Sequence, residues 1–263
     1  MTADELKKLT TNALDKLGAA LDAGHSDNLT ALLKTMGRFH RYSMHNVCLI
    51  VSQCPTATRV AGFQTWRMLG RFVRRGEKGI AILAPIVARR ETVPADGDPK
   101  TVVGFRAAYV FDVEQTDGEP LPEAPEAAGD PGTRTRTLEA TITEHGITVE
   151  HVNDLDGAHG TSSGGRIQIL NGLAPAAEFS VLVHEYAHEL LHRSSDRPDS
   201  RDTRELEAEA VAFVVGHAVG LDVTDAARDY IHLYRGDSTA LAQSLDRIQR
   251  TASAILGALE STV

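Results

Sequence analysis

The chain has 263 residues, 42 % of them apolar and 24 % charged, with a formal net charge of −9. That length accommodates one large or two small domains with cores of their own, and the composition is that of a globular protein. No apolar run reaches the roughly 18 residues of a membrane span. The opening "MTADELKKLT" lacks the apolar stretch of a signal peptide, so a cytoplasmic protein without a membrane partner is expected. Cys48 and Cys54 are the two cysteines. Their spacing matches no zinc clip, and reduced thiols are expected.

In chain order, "ADELKKLTTNALDKLGAALDAG" has helical apolar spacing and ends near Gly24. Helices are expected over 27–36 and 42–52. The segment "AGFQTWRMLGRFVRRGEKG" is rich in turns and short elements. "GIAILAPIVARR" and "TVVGFRAAYVFDVEQ" predict two strands joined by "ETVPADGDPK". From Glu114 to Arg136 the chain is rich in Pro, Gly and Glu and lacks apolar periodicity, which predicts a linker. "GGRIQILNG" predicts a strand, with Arg166–Leu170 either an edge that holds an extended peptide or a plain core strand. Long helices follow over "APAAEFSVLVHEYAHELLHRS" and "SRDTRELEAEAVAFVVGHAVG", with packing helices near Thr224–Tyr234 and Ser238–Leu259. The fold class is α+β in two domains: a helical/β-hairpin domain over 1–115, a linker over 116–136, and a mainly helical domain with a small sheet over 137–263.

Charge divides along the same line. Residues 31–90 hold eleven Lys and Arg against one acid, Glu77, a net of +10, so the remainder carries −19. Such asymmetry points to two parts with different partners. The basic part interleaves cations with aromatics. Single-stranded nucleic acid is bound by that mixture, because cations track phosphates and flat groups stack on unpaired bases. The candidate contacts are Arg38, Arg41, Tyr42, Arg59, Trp66, Arg67, Arg71, Arg74, Arg75 and Lys78. Any single aromatic among them is more often a core residue.

The acidic part carries H-E-x-x-H. His184 and His188 lie one helical turn apart on one face, where two imidazoles can share a zinc ion. Glu185 stands beside that face, where a carboxylate can take a proton from a water activated by the metal. One zinc per chain is expected. The third ligand should come from the next helix. Glu205 and Glu209 share a face there, and Glu207 lies about 200° round from Glu205 at about 100° per residue. Glu205 is assigned as the ligand and Glu209 as the group that orients a ligand histidine from behind, with Glu209 as ligand the alternative. Glu207 is expected to be dispensable to the metal. His192 is read as a satisfied histidine near the site or on the surface. Tyr230, His232 and Tyr234 remain undifferentiated candidates for polarising a carbonyl.

"HEYAHELLH" followed by "RELEAEAVAF" resembles the glutamate-ligand zincins, whose second motif E-x-x-A-D maps to Glu205, Ala208 and Glu209, with Glu in the last place. "RYSMHN", "RVAGFQTWRMLGRFVRRGEKGIAILAP" and "VFDVEQTDG" resemble the N-terminal domain of ArdC-type antirestriction proteins, and the domain order matches. The resemblance implies a single-stranded-DNA-binding domain over 1–115 and a zincin-like metallopeptidase domain of the ImmA/IrrE kind over 137–263. It implies a protein of a mobile element that meets incoming single-stranded DNA and helps it escape restriction, with a host defence protein as a candidate substrate. A DNA-protecting protein whose zinc site is structural is the other reading.

Overall fold

The structure, a computed structural model, describes residues 1–23, 26–89, 100–121, 130–193, 197–222 and 238–261. Its contacts divide the chain into two compact units: Met1–Asp15 with His45–Glu123, and Lys16–Met44 with Ala124–Val263. The division falls inside the first helix, α1 (Ala3–Asp22), and differs from a boundary drawn on charge near residue 115. The physical reason lies in α2 (Ser26–Arg38), which packs against the helix Arg201–Ala218. Gly37 marks that contact, since a Cβ there would stand 2.7 Å from the carbonyl oxygen of Val214.

The first unit is built on a long antiparallel hairpin of β3 (Ile80–Arg89) and β4 (Lys100–Asp112), with β1 (Val60–Gly62) on the far side of β4. Leu6, Leu49, Ala81 and Leu83 form a buried cluster on it. The other edge of β3 would present unpaired peptide groups. Helix α3 (Met44–Gln53) covers it with two amide side chains seven residues apart. Asn46 exchanges two hydrogen bonds with the backbone of Leu83, and Gln53 does the same with Ala81. After α4 (Phe63–Met68), β2 (Arg71–Val73) pairs with β5 (Thr116–Gly118). The first residues of the expected linker therefore form a strand. Gly118, at φ 137°, lies so close to Gly70 that no side chain fits.

In the second unit α5 (Arg134–Glu144) begins inside the expected linker. A three-stranded sheet follows, with β6 (Thr148–Val152) parallel to β8 (Arg166–Leu170) and β7 (Gly160–Ser162) antiparallel to it, in the order β6-β8-β7. The strand expected over Arg166–Leu170 is present, but it is central; β6 and the short β7 are the edges. Helices α6 (Pro175–Leu191), α7 (Arg201–Ala218) and α8 (Ser238–Glu260) pack around Phe179, Tyr186, Phe213 and Leu245. Pro175 occupies the first turn of α6, where its missing N–H costs nothing, and Ser200 caps α7 by accepting from Thr203 N–H. The helix expected near 224–234, Tyr230, His232 and Tyr234, and the linker's middle lie outside the described residues.

Candidate functional site

The H-E-x-x-H face of α6 and the first turns of α7 meet inside the second unit. His184 Nε2 and His188 Nε2 are 3.1 Å apart. Glu205 Oε2 lies 3.6 Å from the first and 3.3 Å from the second. Two imidazole nitrogens and a carboxylate oxygen converge on one point, and their separations are those of ligands about 2.0–2.2 Å from a shared ion. The residues therefore fit a divalent metal, with Glu205 Oε2 the carboxylate oxygen that lies nearest both Nε2 atoms. A second trio, Glu139, His151 and Glu178, also gathers its ligand atoms. It is a half-exposed, hydrogen-bonded cluster with His151 Nε2 3.0 Å from Glu178 Oε1.

Behind each histidine stands a partner that fixes which nitrogen is free. Glu209 Oε2 is 3.2 Å from His184 Nδ1, so His184 donates there and leaves Nε2 for the metal. His188 Nδ1 is 3.0 Å from His192 Nδ1, and His192 Nε2 is 3.1 Å from Glu207 Oε2. A carboxylate only accepts, so the protons order themselves. His192 donates from Nε2 to Glu207 and accepts at Nδ1 from His188, whose Nε2 lone pair faces the site. Glu207 is fully buried and is held by Arg247 as well. It is not among the ligand atoms gathered at the site, as its helical position requires, and it anchors this relay. The sequence signal for it was His192, four residues past His188, with an acid on the opposite face of α7.

Electrostatics follow the same geometry. Burial and the neighbouring His184 push His188 down to about 4, so it is neutral and able to ligate at neutral pH. Burial also opposes charge on His184, but Glu209, Glu185 and Glu205 outweigh it and raise its pKa. Hydrogen bonding to His184 lowers Glu209, and burial notwithstanding, His192 and Arg247 lower Glu207. Glu185 is raised, chiefly by burial against the opposing effect of His184. A carboxylate raised toward neutrality is a better proton acceptor and donor in turn.

The edge strand β7 lies directly on this helix. A Cβ on Gly160 would sit 2.5 Å from Val181 and 2.9 Å from Glu185 Cγ, so only glycine permits the approach. Glu189, one turn beyond Glu185, secures the strand from its other end. It accepts from Ser162 Oγ, Gly164 N–H and Gly165 N–H at 2.9, 2.9 and 2.7 Å. Gly164 and Gly165 have φ of 64° and 102°, and their consecutive N–H groups form an anion-binding nest. The sequence "TSSGG" followed by a mid-helix acid was the available sign of this anchor. His159 and Ser163 bond to β8, so alternation turns the peptide groups of Gly160 and Ser162 to the free side. A cleft of about 630 Å³ opens between β7 and the histidines, within the range of small-molecule and peptide-binding sites.

The ten expected nucleic-acid contacts divide between the two units. Arg38, Arg41 and Tyr42 belong to the second unit, where Arg41 pairs with Glu260 at 2.7 Å and Tyr42 is half-buried against Phe39. Trp66 is 2 % exposed and donates from Nε1 to the Phe111 carbonyl. It is a core residue and offers no ring face to a base. Arg71 binds Thr116, Gly118 and Glu119 and clamps β5 to β2. Arg74 bridges Glu77 and Asp117. Arg59 gives its backbone N–H to Asp112. Arg67, Arg75 and Lys78 remain on the surface of the first unit, alongside the exposed aromatics Phe63 and Phe72.

Fold and site together define an α+β protein whose first unit exposes cations and aromatics and whose second holds a candidate divalent-metal centre. Residues 7–112 match the family described as the N-terminal domain of anti-restriction factor ArdC. Two solved structures of ArdC from plasmid R388 share the fold. The metal-free form is 16 % identical at a TM-score of 0.55, covering 96 % of this chain and 98 % of that one. The Mn(II)-bound form is 19 % identical at 0.57, covering 96 % and 97 %. An uncharacterized Bacillus anthracis protein, pXO2-81, is 23 % identical over the whole chain, which spans about half (53 %) of that relative's length. The chain thus has an ArdC-like fold and carries the ArdC N-terminal domain over residues 7–112. Among the described residues no helix is long and apolar enough to cross a membrane.

Proposed function

We propose that the chain is an antirestriction protein that binds single-stranded DNA through its first unit and carries a zinc-dependent, zincin-like peptidase site in its second. Zinc is favoured by the donor set, two imidazoles and one carboxylate, with room for a further ligand. Bound there, a divalent ion supplies Lewis acidity to water and to a carbonyl. The chain's own residues do the rest. His184 and His188 present Nε2 under the hold of Glu209 and His192, and Glu185 accepts and returns the proton. Gly160 and Ser162 offer main-chain partners to an extended polypeptide. The observation that carries the reading is Glu185. It is buried, raised in pKa and pressed against the edge strand beside the histidines, a position from which a carboxylate can exchange a proton with a water at the metal.

The test compares Glu185→Gln with wild type for zinc content, affinity for oligothymidine, peptidase activity and protection of incoming DNA from restriction. Zinc and DNA affinity should be unchanged, while peptidase activity falls by roughly 10²–10⁴-fold, the range for a lost general base. Loss of protection with DNA affinity intact supports the peptidase reading. Protection that survives Glu185→Gln assigns the function to DNA binding and leaves the metal a structural role.

A further inference from the structure

The segment that joins α6 to α7 mixes charges in the sequence, and the structure sorts them. From Arg193 to Arg204 it carries Arg193, Arg197, Arg201 and Arg204 interleaved with aspartates. All four arginines line the metal cleft, whereas Asp199 and Asp202 do not. Residues 124–263 contain eleven basic residues against twenty-two acids, so the acidic half of the chain places more than a third of its cations here.

Helix electrostatics do not account for this placement. Arg201 and Arg204 occupy the first turn of α7, the positive end of its dipole, where cations weaken a helix. Arg204 donates to the carbonyls of Pro198 and Asp199 at 2.8 Å each, and Arg197 to that of His192 at 3.5 Å. These acceptors hold the guanidinium groups in place without neutralising them. Arg193 and Arg201 are mostly exposed and stand 3.8 Å from Glu189 and 3.7 Å from Glu205. Glu189 is already satisfied by three closer donors, and Glu205 faces the two histidines.

We infer that this cleft selects acidic polypeptide segments, with Arg193 and Arg201 as specificity-determining contacts beside the metal centre. The inference deepens the peptidase reading and rests on it for the identity of the chain that enters. Carboxylates meet guanidinium forks in bidentate, charge-assisted hydrogen bonds. The outward peptide groups of Gly160 and Ser162 favour a polypeptide over a polynucleotide, since a phosphodiester chain has no amides to continue a sheet.

The test uses full-length, zinc-loaded Glu185→Gln and fluorescein-labelled peptides of equal length that are acidic, neutral or basic. The acidic peptide should bind at least about tenfold more tightly than the neutral one, as one or two charge-assisted contacts provide, and the preference should shrink with salt. Arg193→Ala with Arg201→Ala should remove the preference without changing zinc content. Arg201→Glu should reverse its sign. Both side chains are solvent-exposed, so the variants should retain wild-type circular dichroism. Equal binding of acidic and neutral peptides, or an unchanged preference in the double variant, overturns the inference and leaves the peptidase reading standing. Oligothymidine affinity that falls in the double variant assigns the cleft to phosphodiesters and also overturns it. A wild-type protein that loads zinc but cleaves no peptide of any charge overturns the peptidase reading, while the binding comparison still decides charge selection.

Discussion

The two units invest their polar residues differently. In the second, His184, Glu185, His188, Glu205 and Glu209 gather at one cleft, and Glu209 and His192 hold the two histidines in orientation. In the first, charge is abundant but several cations are occupied in holding short strands together, as Arg71 and Arg74 are on either side of β5. A metal centre needs a few atoms placed to within tenths of an ångström, which two packed helices provide. A surface that meets single strands needs only charge and flat groups within reach of a flexible ligand. One site is therefore sharply defined by the chain and the other is diffuse.

The largest expected effect tests that separation directly. His188→Ala and Glu205→Ala should each abolish stoichiometric zinc binding by metal analysis, while oligothymidine affinity stays within a factor of about two of wild type, the scatter expected for changes that share no partners. DNA affinity that collapses along with the metal would mean that the units do not act separately.

Next in size is Trp66→Ala. With its ring buried and Nε1 bonded to Phe111, truncation should destabilise the first unit by about 3–5 kcal/mol, the usual cost of emptying an aromatic core site. Denaturant melts should show this as a lowered first transition. A stable variant with selectively weakened DNA binding would return Trp66 to the surface role its basic neighbours suggested.

Trp66 also shows where the sequence stops being informative. Its neighbours Arg67, Arg71 and Phe72 are the same for a buried as for a stacking tryptophan, and only the tertiary acceptor at Phe111 distinguishes them. The grouping of His184, His188 and Glu205 was legible because helical periodicity is a local rule: four residues apart on α6 and an acid on the facing side of α7 sufficed. The β-elements were legible in the long hairpin and at Arg166–Leu170, but β1, β2, β5 and β7 are three residues long and have no pattern to read. The edge position of β7 depends on which strand lies beside β8, a non-local fact. The placement of α2 likewise depends on Gly37 meeting Val214, two residues far apart in sequence.

The relay behind His188 supplies a smaller test within the metal unit. His192→Leu removes the acceptor that orients His188 and should weaken zinc roughly 10–100-fold, the cost of losing such a supporting partner. His192→Gln offers an acceptor and a donor on separate atoms, so it should recover much of the affinity if it folds. Chelator competition reads both. Equal losses in Leu and Gln would make His192 a packing residue and no more. Glu207→Ala should lower both zinc affinity and stability, since it leaves Arg247 and His192 without their shared carboxylate.

The smallest effects belong to the first unit and divide its cations into two kinds. Arg67, Arg75 and Lys78 are exposed, and a phosphate that each neutralises would release counterions. Replacing any one with Ala should flatten the logarithmic salt dependence of oligothymidine binding by about 0.7, the increment for one contact on a single strand. Arg74 already faces Glu77 and Asp117, so Arg74→Ala should change the slope less than Arg75→Ala does. Phe72 is 57 % exposed on β2. Phe72→Ala should weaken binding by roughly 1–3 kcal/mol per lost stacked base, equally at every salt concentration and without a change in slope. A Phe72→Ala variant that binds normally, with Arg74 and Arg75 contributing alike, would show that the surface is read by charge alone. The contrast between the two units would then be one of convergence against bulk electrostatics, with no stacking platform in the first.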